Sequence, residues 1–480
     1  MTIFYRKDDL MKGSLTPSRK LILILALAAV TAAGCLLLVL AGSHKNELQR
    51  ADYQRIASMQ YDSVFLSMYP IDTYREEDFS YFRGMTLFKA SYCIPSFSVL
   101  KNYLRHLSSS GNQITTAYLG IRPDLTDPRK LQKLLSGYPD ITFEIMLAYP
   151  SSEYWKALTQ KEYEDTLAAY LDFFSAAPEI PEANFYCFGT QEWLTANPGN
   201  YQDDWSVNEN VARTLMAYSD RDHGFLITAE NSSACAEALT TLTFSLRSAP
   251  AAYPDLSDRC VVFFGDSVIG NYTDSTSIPG VVSGLTGAEV YNCGYGGNSA
   301  AMMPGLLISL PGIIEAFFQG DLSVLPEETQ VYAGISSYLE NASPDRQICF
   351  VINYGLNDYF SGYPISSEEP YNIATYSGAV RTAVKLIREY EPDAQIILCT
   401  PNFSSVFDNG TEPHGTDGLV LTDYVNAVLS LSEELQTDVL DNYHDLGITP
   451  ENEGQYLADQ VHPNDACRFL IGSNLSRMIR

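Results

Sequence analysis

Basic residues are scarce in this chain: 30 Lys and Arg stand against 58 Asp and Glu, a formal charge of −28 over 480 residues. A nucleic-acid binder must neutralise phosphates and carries the opposite balance, so that class is excluded. A strongly acidic surface also repels polyanionic polymers, which makes a neutral substrate the better fit. Nine cysteines include no Cys-x-x-Cys spacing and do not cluster with the six histidines, which argues against a structural zinc. Glycine (31) and proline (24) are too few for a collagen-like or low-complexity chain. No repeat of solenoid period is present.

What is present is a hydrophobic fraction of 46%, enough for a buried core, and a length that suggests about two to three domains. One stretch stands apart. Leu21 to Ala41 (LILILALAAVTAAGCLLLVLA) is 21 residues without a charge, long enough to cross a bilayer core of about 30 Å. Arg6, Lys7, Lys12, Arg19 and Lys20 precede it, and only Lys45, Arg50 and Arg55 follow within a similar distance. That asymmetry predicts a cytoplasmic tail over 1–20, a single-pass anchor over 21–41, and everything after His44 outside the cell. A cleaved signal peptide would need an apolar region of only about 7–15 residues. Ala32-Ala33-Gly34-Cys35 loosely resembles a lipoprotein signal, but the apolar run continues from Leu36 to Leu40 beyond that cysteine.

Residues 43–58 are polar and read as a stalk. The rest divides at the Ala/Pro/Asp stretch 248–258 into a unit over 43–247 and a unit over 248–480. In the first, apolar strand-like runs (63–68, 114–121, 141–148, 183–189, 224–229) alternate with helical patterns (96–110, 128–136, 160–176, 206–219, 232–247). In the second, strands at 259–267, 288–294, 347–355, 394–400 and 437–443 alternate with helices at 304–318, 374–390, 420–436 and 464–478. Such βα alternation predicts two α/β domains with mostly parallel, helix-covered sheets. The acidic segment 320–345 reads as a surface excursion. Cys187, Cys349 and Cys399 lie in apolar strand-like runs, where cysteine serves as a small buried hydrophobe.

In open α/β sheets, chemistry gathers at the carboxyl ends of the strands. In the second unit those ends read Gly265-Asp266-Ser267, then Asn292-Cys293-Gly294-Tyr295-Gly296-Gly297-Asn298, then Asn353-Tyr354-Gly355-Leu356-Asn357-Asp358. Asp459-Gln460-Val461-His462-Pro463-Asn464 follows, just before the last helix. These four blocks, in this order over about 220 residues, resemble the SGNH (GDSL-like) hydrolase family, with GDSVIGN standing where GDSL would. The resemblance implies a flavodoxin-like three-layer sandwich and a serine esterase that needs no cofactor and no metal.

The residues themselves support that chemistry. A serine hydroxyl is a poor nucleophile until a base takes its proton, and a carboxylate orients that base. Ser267 is the candidate nucleophile, His462 the base and Asp459 its orienting partner, since a three-residue spacing lets the carboxylate reach Nδ1 of His462. By resemblance, the oxyanion donors are the amides of Ser267 and Gly297 and the side chain of Asn357. A second Asp-x-x-His, Asp441 to His444, follows the fifth strand rather than opening the final helix and is the weaker pair. His414 reads as a surface residue, while Tyr354, Tyr359, Tyr363 and Phe403 would line an acyl or sugar pocket or pack in the core.

No family is recognised in residues 59–247. Trp155, Trp193 and Trp205, the only tryptophans, fall there with Arg122, Asp124, Glu192, Glu230 and Asn231 near strand ends, a set that suits carbohydrate binding or plain packing and capping. Taken together, the sequence predicts a membrane-anchored extracellular serine esterase cleaving O-acyl esters, O-acetyl above all, on envelope or extracellular carbohydrate, with lipids and other acyl esters left open. Two rivals stay open: an O-acyltransferase with the same triad and a glycan acceptor, and a tethered glycan-binding protein with a vestigial hydrolase half. Nothing in the sequence bears on oligomeric state.

Overall fold

The computed structural model describes residues 46–219, 225–248, 253–302 and 305–480. The expected tail and anchor, 1–20 and 21–41, lie outside them. Among the described residues, no helix is long and apolar enough to cross a membrane.

Two five-stranded sheets organise the chain, and every strand pairing in both is parallel. The first holds β1 (Ser63–Ser67), β2 (Leu87–Lys89), β3 (Thr116–Ile121), β4 (Thr142–Leu147) and β5 (Ala183–Tyr186) in the order β2-β1-β3-β4-β5. The second holds β6 (Arg259–Gly265), β7 (Glu289–Gly294), β8 (Gln347–Asn353), β9 (Gln395–Cys399) and β10 (Asp438–Leu440) in the order β10-β9-β8-β6-β7. Counted from its own first strand, each sheet has the doubly wound order 2-1-3-4-5. Helices cover both faces of such a sheet, so its inner strands are apolar throughout: VVFF of β6 and FVI of β8 are buried. Cys187, Cys349 and Cys399 are buried as small apolar side chains.

Three expectations are corrected. Residues 46–58 are not a free stalk but a helix docked on the first sheet: Ile56 and Asp52 are buried, and the Asp52 carboxylate accepts from Tyr103 Oη (2.7 Å) and the Ser91 amide (3.0 Å). The segment 320–345 is not merely a surface excursion. It contains the helix Gln330–Asn341, which packs on edge strand β7 so closely that a Cβ at Gly334 would sit 2.0 Å from the Asn292 carbonyl oxygen. Of the run 224–229, the described residues 225–229 form no strand of the parallel sheet and contribute only an isolated antiparallel bridge, Leu226 to Tyr186, beside β5.

The halves meet through a shared apolar cluster. Trp193, Leu194, Val211 and Leu215 of the first half pack with Val281 and Phe469 of the second. Beside it, three asparagines of the first half converge on Ser275. Asn197 Nδ2 donates to its carbonyl (3.0 Å), Asn208 Nδ2 donates to its hydroxyl (2.8 Å), and that hydroxyl donates to Asn200 Oδ1 (2.8 Å).

Candidate active site

β6 delivers Ser267 by ending abruptly. Gly265 lies against Ile269, Asp266 caps the one-turn helix Ser267–Gly270 by accepting from the Val268 amide (2.9 Å), and Ser267 is its first residue. That turn is pressed onto the end of β7, where a Cβ at Gly294 would meet the Gly270 nitrogen at 2.5 Å. Two backbones therefore touch without side chains between them, which fixes the height of Ser267 above the sheet.

The residue 195 positions later closes the line. His462 Nε2 lies 2.9 Å from Ser267 Oγ, and His462 Nδ1 lies 2.8 Å from Asp459 Oδ2. Asp459 Oδ1 accepts from the amides of Val461 and His462, both at 2.7 Å. Partial burial opposes ionisation of Asp459, but these amide and imidazole donors outweigh it and hold the carboxyl below the usual carboxylate range. With Nδ1 facing a carboxylate, the imidazole carries its proton there and presents Nε2 as the acceptor to the serine.

Gly297 sits on the exposed rim at φ +74°, a left-handed conformation that favours glycine, with nothing within 4 Å of where a Cβ would stand. Asn357 Nδ2 donates to the Asn298 carbonyl (2.9 Å), which leaves its second N–H. No acceptor among the described residues takes the amides of Ser267 or Gly297. Gly296, next to Gly297, stands where a Cβ would lie 3.9 Å from Ser267 Cβ, so this loop borders the serine.

Two buried carboxylates were not singled out from the sequence. Asp358 accepts from the amides of Ala300 (3.0 Å) and Ala301 (2.9 Å), so it anchors the loop that carries Gly297. Burial pushes its carboxyl up to about 6, against those two amides. Burial likewise pushes Asp266 up to about 7, against the Val268 amide, with Asp358 adding to the rise. Their signal was adjacency, since each directly neighbours a motif residue.

The competing pair has the same local geometry, with His444 Nδ1 2.7 Å from Asp441 Oδ2. His444 is 58% exposed, and no hydroxyl or thiol among the described residues is hydrogen-bonded to its Nε2. The pair therefore lacks a nucleophile. Tyr354, Tyr359 and Phe403 are core residues, as are Trp155 and Trp193, so none of these forms an exposed platform. Trp205 stays partly exposed beneath the Arg122 guanidinium (4.1 Å), which is itself paired with Asp124. Asn231 is spent locally, accepting from the Thr228 amide at 2.7 Å, and His414 packs tilted against Phe407, with ring centroids 3.8 Å apart. Among the described residues, no cluster of His, Cys, Asp and Glu could hold a metal ion.

No curated protein matches the chain. Solved structures similar to part of it include a protein from Lactobacillus plantarum (16% identity, 45% of this chain and 95% of that one, TM-score 0.34). Others are the acetyl xylan esterase AlAXEase (17%, 45% and 98%, TM-score 0.29) and the salicylyl-acyltransferase SsfX3 of a tetracycline biosynthetic pathway (16%, 46% and 53%, TM-score 0.28). The model of the GDSL-like lipase/acylhydrolase family matches residues 263–467, a span that runs from the strand before Ser267 to the first turn of the helix after His462. Residues 263–467 thus form a GDSL-like lipase/acylhydrolase domain, which supports an ester-hydrolysing enzyme.

Proposed function

We propose that this enzyme is a membrane-anchored, outward-facing esterase that removes O-acyl groups, acetyl above all, from envelope or extracellular carbohydrate. The observation that carries the chemistry is the continuous line from Asp459 through His462 to Ser267, with contacts of 2.8 and 2.9 Å. As Ser267 Oγ attacks the acyl carbonyl carbon, its proton passes to His462 Nε2. The tetrahedral oxyanion is met by the amides of Ser267 and Gly297 and by Asn357 Nδ2, each such donor worth about 2.7–4 kcal/mol. His462 then protonates the departing alcohol oxygen as the Ser267 acyl-enzyme forms; water, giving a proton to His462 Nε2, adds to the acyl carbonyl, and Ser267 Oγ leaves with that proton, releasing the acid.

The charge asymmetry around residues 21–41 supports the location, and the acidic surface favours a neutral polymer over a polyanionic one. Residues 46–58, a helix docked on the first domain, follow the apolar run closely in sequence, so the anchor would hold the enzyme close to the membrane face. The test uses the full chain in detergent with p-nitrophenyl acetate, beside Ser267→Ala and His462→Ala. Turnover in the parent, lowered by a factor on the order of 10⁴ or more in both variants, is the expected result. A folded parent with no serine-dependent hydrolysis overturns it.

A further inference from the structure

The first half of the chain contains none of the catalytic line, yet it reaches the loops that carry it. Immediately after His462, the final helix Asp465–Met478 begins, and its Arg468 turns back under the site with 3% of its side-chain surface exposed, as part of a buried pair with Asp465. Every donor nitrogen of that guanidinium is engaged. Nη1 donates to the Pro463 carbonyl (2.7 Å), Nε to the Thr276 carbonyl (2.8 Å), and Nη2 to Thr276 Oγ1 (3.3 Å) and Asp465 Oδ1 (2.6 Å). Its flat face covers the Tyr272 ring at 3.6 Å. Tyr272 and Thr276 lie on the loop that leaves the Ser267 turn, and Pro463 follows His462. One buried cation therefore clamps the serine side of the site to the histidine side.

A buried cation of this kind needs its counter-ion held in place. Asp465 uses Oδ1 for Arg468, and its Oδ2 accepts the hydroxyl of Tyr218, which comes from the first half, on the helix Glu209–Ser219. The three asparagines on Ser275 grip the same serine-side loop from the same half. We propose that the first half is a positioning scaffold for the catalytic line, with Tyr218 a positioning residue that acts through Asp465 and Arg468. The proposal rests on the assignment of Ser267 and His462 and adds to it a reason for the two-domain architecture.

Hydrolysis of p-nitrophenyl acetate by the full chain tests it, with sites counted by a serine-reactive phosphonate. Tyr218→Phe keeps the ring and removes one hydroxyl. It should lower kcat per titrated site about three- to tenfold with KM within about twofold, inside the hundredfold that a 1 Å misplacement can cost. Val281→Ala weakens the same interface away from the network, and should lower the melting temperature while leaving kcat per site at the parent value. Asp465→Asn should lower kcat at least as much, and adding Tyr218→Phe to it should cause no further loss, because the two act along one path. Parent-like kcat in Tyr218→Phe overturns the proposal, as does a double variant whose losses multiply. Should Asp465→Asn fail to fold, the contrast between Tyr218→Phe and Val281→Ala still decides. Ser267→Ala separates the two readings: turnover that survives it removes the catalytic assignment, and the scaffold with it.

Discussion

At the residue scale, the same Asp-x-x-His spacing occurs twice with nearly the same imidazole–carboxylate distance, and only one copy faces a serine hydroxyl. A base without a nucleophile does no acyl transfer. His444→Ala should therefore leave ester hydrolysis within about twofold of the parent, whereas His462→Ala removes it by a factor on the order of 10⁴. Comparable losses in both variants, measured as kcat per titrated site, would show that the distinction is wrong. Asp358 makes a separate prediction. Its carboxyl is raised to about 6, while an unfolded Asp titrates near about 3.9. Between those values the native state holds a proton that the unfolded chain has released. Its contribution to stability is thus complete below about pH 4 and is lost as pH rises through about 6. Urea unfolding at pH 4.5 and 7.5 should show the parent losing on the order of 2–3 kcal/mol relative to Asp358→Asn over that interval. A constant difference between the two proteins would contradict it.

At the scale of elements, the position of the nucleophile depends on a contact between two glycines. A methyl at Gly294 would lie 2.5 Å from the Gly270 nitrogen and 2.6 Å from its Cα, and backbone cannot swing aside as a side chain can. Gly294→Ala should cost about 1–3 kcal/mol of stability through overpacking. By tilting the Ser267 turn it should also lower kcat, on the order of 10- to 100-fold. Gly454→Ala, where nothing lies within 4 Å, is the matched control and should change neither. Unchanged kcat in Gly294→Ala would mean that the turn is held elsewhere.

Elements also show what could be read from the chain. Strands such as β6 and β8 were legible because a sheet covered on both faces demands unbroken apolar runs. The four motif blocks were legible because they lie at strand ends and before the last helix. The helix Gln330–Asn341 escaped notice because it buries only Val331, Gly334 and Ile335, too narrow a stripe to stand out from its polar and acidic surroundings. Asp266 and Asp358 gave no sign of burial, since a carboxylate becomes an interior group only through partners that the fold supplies. The common strand order of the two halves was equally silent, because topology of this kind constrains hydrophobic pattern and leaves residue identity free.

At the scale of the whole molecule, the question is whether two similarly wound halves behave as one unit. Phe469, one residue after Arg468, is buried in a cluster with Trp193, Leu194 and Leu215 from the other half. Neither half can lose its structure without exposing that cluster. The chain provides a natural way to see this, because all three tryptophans lie in the first half and the catalytic line lies in the second. Tryptophan fluorescence therefore reports one half, and ester hydrolysis the other. In a urea titration of the full chain the two signals should fall together. Phe469→Ala removes a buried aromatic at a cost of about 3–5 kcal/mol, which should loosen the seam and move both midpoints to lower urea. Activity should still be lost no later than fluorescence, because Arg468 gives up the Tyr218-bound state of its counter-ion when the first half melts. A parent that keeps full activity after its tryptophans are exposed would show the halves to be independent, and the first half would then need a role apart from the catalytic line.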